Sequence, residues 1–502
     1  MSIRARLRTF PVQLGLIAFA ALLIRAAYVR FVLWNQALIG DEVWYYLAGA
    51  NLARGNGFID PVRVIFGPEI PSALHPPFTQ TFVGGLIWVF GDHQPWIRLL
   101  MSLVGVAVVV MLGLFGRRIA GPRVGLLAAG IGAVYTGLWV SDGLVMAESM
   151  AALVVIVIMW LAYNYLERPR ASTLVWLSVT IGIMVLNRAE YLFSLPFLVL
   201  PIVWVVGRGR GLVKRILPAV LSGLIVLAVI APWTIYNSTR FEHLVLVSNN
   251  GDTALRGVSC DESYPGGALA GLWGLTCAVY DPKELDESVV GQGLRRDALE
   301  YIKNHLSAYP EAVLLREGRA WNLYLPFDTA RYNEGEGRPF GISVVGILEF
   351  YVLVALAVFG WFELKRRRIS RIPLASQFVI AAVAIAGFGG MVRFRVPADV
   401  ALVVLAAVAI DGLFRRRGLG GRGADGEPGA RSAPDTEAAE VADDIAIAEA
   451  VDVVDDVGIA EAVEVDGGSD GATGGRAVRR RVGRRGGTRR PRHPDTRVRV
   501  SR

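Results

Sequence analysis

The chain has 502 residues, 53% of them hydrophobic, and a formal net charge of +8. Its mean hydropathy of +0.45 comes from many unbroken apolar runs, which exclude an ordinary soluble protein and indicate a polytopic membrane protein. The net charge is a poor guide to partners, because the basic residues gather in short loops and in a C-terminal tail, where position decides their effect.

The first span is expected over 11–33. Arg4, Arg6 and Arg8 precede it and place its start in the cytoplasm, and its far flank lacks a small-residue cleavage pattern. Arg25 and Arg30, towards the far end, read as side chains that snorkel to the outer interface. Residues 34–95 then form a first external loop. It carries the pair Asp41-Glu42 beside Trp44, Tyr45 and Tyr46, a helical pattern through Leu47, Ala48, Leu52 and Ala53, and a Gly55-Asn56-Gly57 stop. A second element begins at His75-Pro76-Pro77-Phe78. Its apolar run, 78–91, is short for a span and reads as an interfacial helix, which also keeps Arg117 and Arg118 on the inner side.

Further spans are expected at 96–116, 122–140, 148–166, 172–187, 191–206 and 214–235. The loops that hold Arg117, Arg118 and Arg123, then Arg168 and Arg170, then Arg208, Arg210, Lys214 and Arg215 fall inside. The loops from Ser141-Asp142 to Glu148, and Arg188-Ala189-Glu190, fall outside. Residues 236–341 are the one large polar segment, expected as an external cap of helices and loops. An amphipathic stretch covers 294–306, and a second helical pattern starts at Pro310. Cys260 and Cys277 both lie here; an external segment suits a disulfide, an internal one free thiols. Spans at 342–362, 373–391 and 397–414 complete the frame, joined by an inner Lys365–Arg368 loop and an outer Arg393-Phe394-Arg395 turn, with Arg415, Arg416 and Arg417 inside.

The fold class is therefore all-α and polytopic, with about ten transmembrane helices and both termini cytoplasmic. Residues 1–235 form a transmembrane module, 236–341 the cap and 342–417 the C-terminal helices. Residues 418–502 are an acidic block (425–470) followed by an Arg-rich block (476–502), too poor in large apolar side chains to build a core and expected to be disordered. The Arg-rich block suits anionic membrane lipids, and no nucleic-acid partner is expected.

This topology gathers ionisable groups on the outer face: Asp41, Glu42, His75, Asp142, Glu148, Arg188, Glu190, Arg393 and Arg395. The span interiors are nearly free of charge, which counts against an ion-coupled transporter. No His/Cys cluster has metal-ligand spacing, so no required metal is indicated.

The run GDEVWYYLAGANLARGNGF resembles the first-loop signature of the GT-C superfamily of membrane glycosyltransferases. The likeness is to the branch of the protein O-mannosyltransferases and lipid A aminoarabinose transferases. HPPF at 75–78, Glu148 opening a span, Arg188 with Glu190, Pro232-Trp233, and RFRVPADVALVVLAAVAI follow in the expected order, covering roughly residues 10–415. Two departures stand out. Thr234-Ile235-Tyr236-Asn237 replaces the Arg-Asn pair often seen after Pro-Trp, and the external β-modules of the O-mannosyltransferases are missing.

The resemblance implies inverting transfer of a sugar from a polyprenyl-phosphate carrier to an acceptor hydroxyl outside the plasma membrane. The acceptor is a cell-envelope glycan, lipid or protein. Asp41 is then the expected base, with Glu42 orienting it or binding the acceptor, and Glu148 or Asp142 the second carboxylate. His75 is expected to hydrogen-bond the carrier phosphate or to help hold a metal, and Glu190 to contact substrate. Arg188, Arg393 and Arg395 supply positive charge for the departing phosphate. The alternative is a transporter or flippase of lipid-linked sugars with no chemistry of its own.

Overall fold

A computed structural model describes residues 9–65, 67–280 and 283–416. Arg4, Arg6, Arg8, Arg417 and the whole charged tail lie outside the described residues. Within them all regular structure is helical, apart from one isolated bridge between Ile59 and Pro71.

Seven helices, of 18 to 27 residues, are long and apolar enough to cross a membrane: Phe10–Leu33, Gln94–Ala120, Glu148–Glu167, Ala189–Val206, Leu212–Ser238, Phe340–Arg366 and Val392–Arg416. The chain is a multi-pass membrane protein. The spans expected at 122–140, 172–187 and 373–391 are shorter helices, Pro122–Val134, Ala171–Val185 and Ile372–Phe388. The first of them stops because Tyr135 adopts an extended backbone before a short turn, Thr136–Trp139, resumes.

The last helix is the hub. Its Val/Ala/Leu side chains are apolar on all sides, the pattern of a helix enclosed by others, and 89% of its central window is buried. Where this helix meets Phe340–Arg366 at the basic end, Arg367 bridges Glu363 and Asp411 at 2.8 Å each.

The loop after the first span forms two helices, α1 (Asp41–Ala53) and α2 (Pro77–Phe90). They pack at Gly49 against Gly84. A side chain at Gly84 would meet the Gly49 carbonyl at 3.0 Å, and one at Gly49 would meet Val83 Cγ1 at 2.7 Å, so both positions need glycine for this approach. α2 is the helix expected over 78–91 and is shorter than the seven candidate spans, and Trp88, Val89 and Phe90 at its end are exposed apolar side chains.

Residues 239–339 contain four α-helices: α3 (Asn250–Gly257), α4 (Glu287–Asn304), α5 (Tyr309–Ala320) and α6 (Pro326–Tyr332). Asp286 caps α4 by accepting from the Ser288 N–H at 2.7 Å. Cys260 and Cys277, 17 residues apart, form a disulfide. For a loop of this size, replacing both cysteines with serine is expected to cost about 3 kcal/mol. The readout is the unfolding midpoint of the solubilised protein, and an unchanged midpoint would mean the thiols are free in the protein as made.

Arg25 does not snorkel to the interface. It is 1% exposed and its Nε donates to Asp142 at 2.7 Å, because Asp142 lies in the segment folded over the end of the first span. The Asp142 carboxylate and the Ala21, Gly132 and Ala133 carbonyls stand in for the water this charge gives up.

Candidate active site

α1 starts at Gly40, whose φ of 60° is a left-handed conformation that favours glycine. Its backbone lies against Gly335; a Cβ there would meet the Gly335 carbonyl at 3.0 Å. Asp41 is therefore the first helical residue, with Glu336 beside it. Glu148 likewise opens its span. Both carboxylates stand at the N-terminal end of a helix, where unpaired backbone N–H groups carry positive partial charge.

These two residues, with His75, Arg188, Glu190 and Arg393, line one open cleft of about 610 Å³, together with Tyr45, Asn187, Phe388 and Phe394. Asn187 braces three of its walls. It accepts from Thr79 Oγ1 at 2.5 Å and donates to the Ala147 carbonyl at 3.2 Å, so α2, the start of the Glu148 helix and the Arg188 turn are held together.

Each arginine serves two carboxylates. Arg393 donates to Asp41 Oδ2 and lies 3.4 Å from Glu336 Oε1. Arg188 donates to Glu190 Oε1 at 2.6 Å and lies 3.5 Å from Glu148 Oε1. The Phe394 ring sits between them, 5.1 Å from the Arg188 guanidinium and 5.7 Å from that of Arg393. Burial in the cleft opposes ionisation of Asp41, but the Arg393 guanidinium, helped by Arg188, outweighs it and holds the carboxyl below its usual range. Burial pushes the Glu336 carboxyl up, against the pull of Arg393 and Arg338. Burial also lowers His75, whose Nδ1 is 3.3 Å from the Tyr45 hydroxyl; a neutral ring suits that contact.

Three expected site residues lie elsewhere. Glu42 is fully buried and accepts from both Arg98 Nε, at 2.9 Å, and Arg98 Nη2, at 2.7 Å. It faces away from the cleft because successive helical side chains point about 100° apart. Asp142 pairs with Arg25 and accepts from Ser149 Oγ at 2.5 Å. Arg395 pairs with Asp399 at 3.0 Å and donates to the Ala320 carbonyl, clamping α5 to the last helix. These are contacts within the fold.

Glu336 was not singled out in the sequence. One of its carboxylate oxygens is buried without a hydrogen-bond partner. The same rule that drew attention to Glu148, a carboxylate next to a span end on the outer face, finds Glu336 just before the helix at Phe340. Among the described residues no group of three or more His, Cys, Asp or Glu side chains is arranged to hold a metal ion.

Residues 74–236 match the family described as dolichyl-phosphate-mannose-protein mannosyltransferase. No curated protein matches the chain. Among solved structures, the Archaeoglobus fulgidus oligosaccharyltransferase tethered to an acceptor peptide with the NVT sequon is 15% identical at a TM-score of 0.49, covering 83% of this chain and 51% of that one. The ArnT structure from Cupriavidus metallidurans bound to undecaprenyl phosphate is 16% identical at a TM-score of 0.46, covering 82% of this chain and 61% of that one. The chain thus spans about half to three fifths of the length of these proteins. The resemblance to the GT-C membrane glycosyltransferases drawn from the motifs holds through residues 74–236, where the chain is similar to the dolichyl-phosphate-mannose-protein mannosyltransferases.

Proposed function

We propose that the chain transfers a sugar from a polyprenyl-phosphate carrier to an acceptor hydroxyl, with inversion, at the outer face of the plasma membrane. The observation that carries this reading is the meeting of Asp41 with two arginines in one cleft. The hydroxyl attacks the anomeric carbon and gives its proton to Asp41. The bond from that carbon to the phosphate oxygen breaks, and the polyprenyl phosphate leaves with one more negative charge. Arg393 and Arg188 stabilise that charge, so the reading asks for no metal. The similarity of residues 74–236 to mannosyltransferases favours this reading over a carrier without chemistry.

The Arg393–Asp41 pair supplies an order of events. With Arg393 on Asp41, the carboxylate is a poor base. A donor phosphate competes for Arg393, and Asp41 regains basicity as the guanidinium moves to the phosphate. Donor binding then switches on the base.

The disulfide supports an external position for 236–341, since such bonds persist in oxidising compartments. Ten spans with cytoplasmic termini follow if the three shorter helices cross with their flanking turns. Purified protein in lipid nanodiscs, given polyprenyl-phosphate mannose, is expected to release polyprenyl phosphate. No release from a panel of polyprenyl-phosphate sugars would sink the reading. Arg393→Ala is expected to lower turnover about 10²-fold and to raise the donor KM. An unchanged donor KM and turnover would remove Arg393 from the phosphate's path.

A further inference from the structure

A cavity of about 420 Å³ lies apart from the candidate active site and shares no lining residue with it. Its walls are α6 with the turn before it, the short turn at Thr136 and the start of the Phe340–Arg366 helix. Arg338, two residues before that helix, lines it and is 3% exposed. The other buried arginines are each matched to several acceptors. Arg25, Arg98 and Arg395 pair with carboxylates. Arg316 and Arg319 each donate to backbone carbonyls of two different segments. Arg338 is the exception. A guanidinium carries five N–H donors, yet among the described residues its one acceptor is Ser141 Oγ, 3.1 Å from Nη2. Its Nε is buried without a partner. Holding a charge in that state is costly, and an anion in the cavity would offset the cost.

The rest of the lining suits a phosphate with a polar substituent. Arg395 also lines the cavity, but Asp399 neutralises it, so the unmatched charge is that of Arg338. A phosphodiester carries the single negative charge that matches it. Ile342 and Ser343 contribute the N-terminal end of a 27-residue helix, which favours an anion. Asn333 Oδ1 is buried without a partner and can accept from a hydroxyl or an ammonium. Beyond this polar lining the surface is apolar. Leu323 and Phe327 are exposed beside the lining residues Asn322 and Pro326, and Val345 and Leu348 are exposed beside Gly346 and Ile347. In a multi-pass membrane protein, a basic pocket with an apolar rim is suited to a lipid head group with its acyl chains alongside.

We infer that this cavity binds the phosphodiester of a membrane phospholipid, with the phosphate on Arg338 and a head-group hydroxyl or ammonium on Asn333. The inference does not depend on the transferase reading. It also links the lipid to the site where that chemistry is placed. The segment 335–338 runs from one to the other: Gly335 lies against Gly40, Glu336 lies beside Arg393, and Arg338 reaches Ser141. A phosphate on Arg338 braces this segment, and with it the start of α1.

The test uses the full chain, purified in detergent, delipidated, and titrated with phosphatidylglycerol, diacylglycerol or glycerol phosphate. Native mass spectrometry reads the first lipid bound, and the unfolding midpoint reads its effect on the fold. Phosphatidylglycerol is expected to bind and to raise the midpoint, and diacylglycerol, which lacks the phosphate, to do neither. Arg338→Gln is expected to weaken the first binding event about tenfold, the loss of a charged hydrogen bond, while Arg393→Ala leaves it intact. Asn333→Ala removes an oxygen that has no partner in the fold, and it keeps the test valid if Arg338→Gln does not fold. Unchanged binding by folded Arg338→Gln overturns the inference, and so does unchanged binding by Asn333→Ala. Loss of binding in Arg393→Ala would place the phosphate in the active-site cleft and overturn it as well. Diacylglycerol or glycerol phosphate binding as tightly as phosphatidylglycerol would overturn the phospholipid as the ligand.

Discussion

Asp41→Asn is expected to lower sugar transfer by about 10²- to 10⁴-fold, the usual effect of removing a general base, while the protein still inserts and folds. Asp41 is at the surface of the cleft with its side chain 32% exposed, and Asn keeps its shape at the start of α1. The loss should fall on kcat. Donor binding should hold or tighten, because Arg393 is no longer drawn to a carboxylate and is free for the phosphate. The measurement is steady-state release of polyprenyl phosphate alongside donor affinity. Turnover within a fewfold of wild type would remove Asp41 from the chemistry, and the proposed switch would go with it.

The sequence made the position of the site legible, and the physical reason is topological. Lys and Arg bias sorts the loops into two sets, so Asp41, His75, Glu148, Arg188 and Arg393 could be expected on one face of the membrane without coordinates. The structure then places them in one cleft. What the sequence could not resolve was direction on a helix. Asp41 and Glu42 are adjacent and chemically alike, yet one faces the cleft and the other the interior, since only tertiary packing fixes the rotation of α1. The decisive partners are also distant in the chain. Glu42 meets Arg98, 56 positions on, and Arg25 meets Asp142, 117 positions on. Period and composition carry no trace of such pairings. Arg395 misled for a related reason. It sits two residues from Arg393 in the same turn, but its side chain points another way, to Asp399 one helical turn ahead. The shorter spans were blurred because hydropathy averages across a break such as Tyr135, where the apolar run continues and the helix does not.

Glu42 separates folding from catalysis most sharply. Replacing it with Leu is expected to destabilise the protein by about 3–5 kcal/mol, the cost of leaving a buried charge unpaired. Arg98 would then keep its charge at 0% exposure with no anion beside it. Arg98→Met should cost a similar amount for the mirror reason. The double variant should recover part of the loss, because removing both charges also removes their desolvation. Recovery stays incomplete, since the pair has other tasks: Arg98 donates to the Leu33 and Gln36 carbonyls, and Glu42 accepts from the Val145 N–H at 3.1 Å. Together these contacts tie the end of the first span, α1 and the segment before Glu148 into one frame, and that frame sets where Asp41 points. Unfolding midpoints and the fraction of monodisperse protein measure stability, and turnover per folded molecule measures chemistry. The expected pattern is a large fall in the first and a small one in the second, the reverse of Asp41→Asn. A stable Glu42→Leu protein that has lost turnover would return Glu42 to the reaction itself.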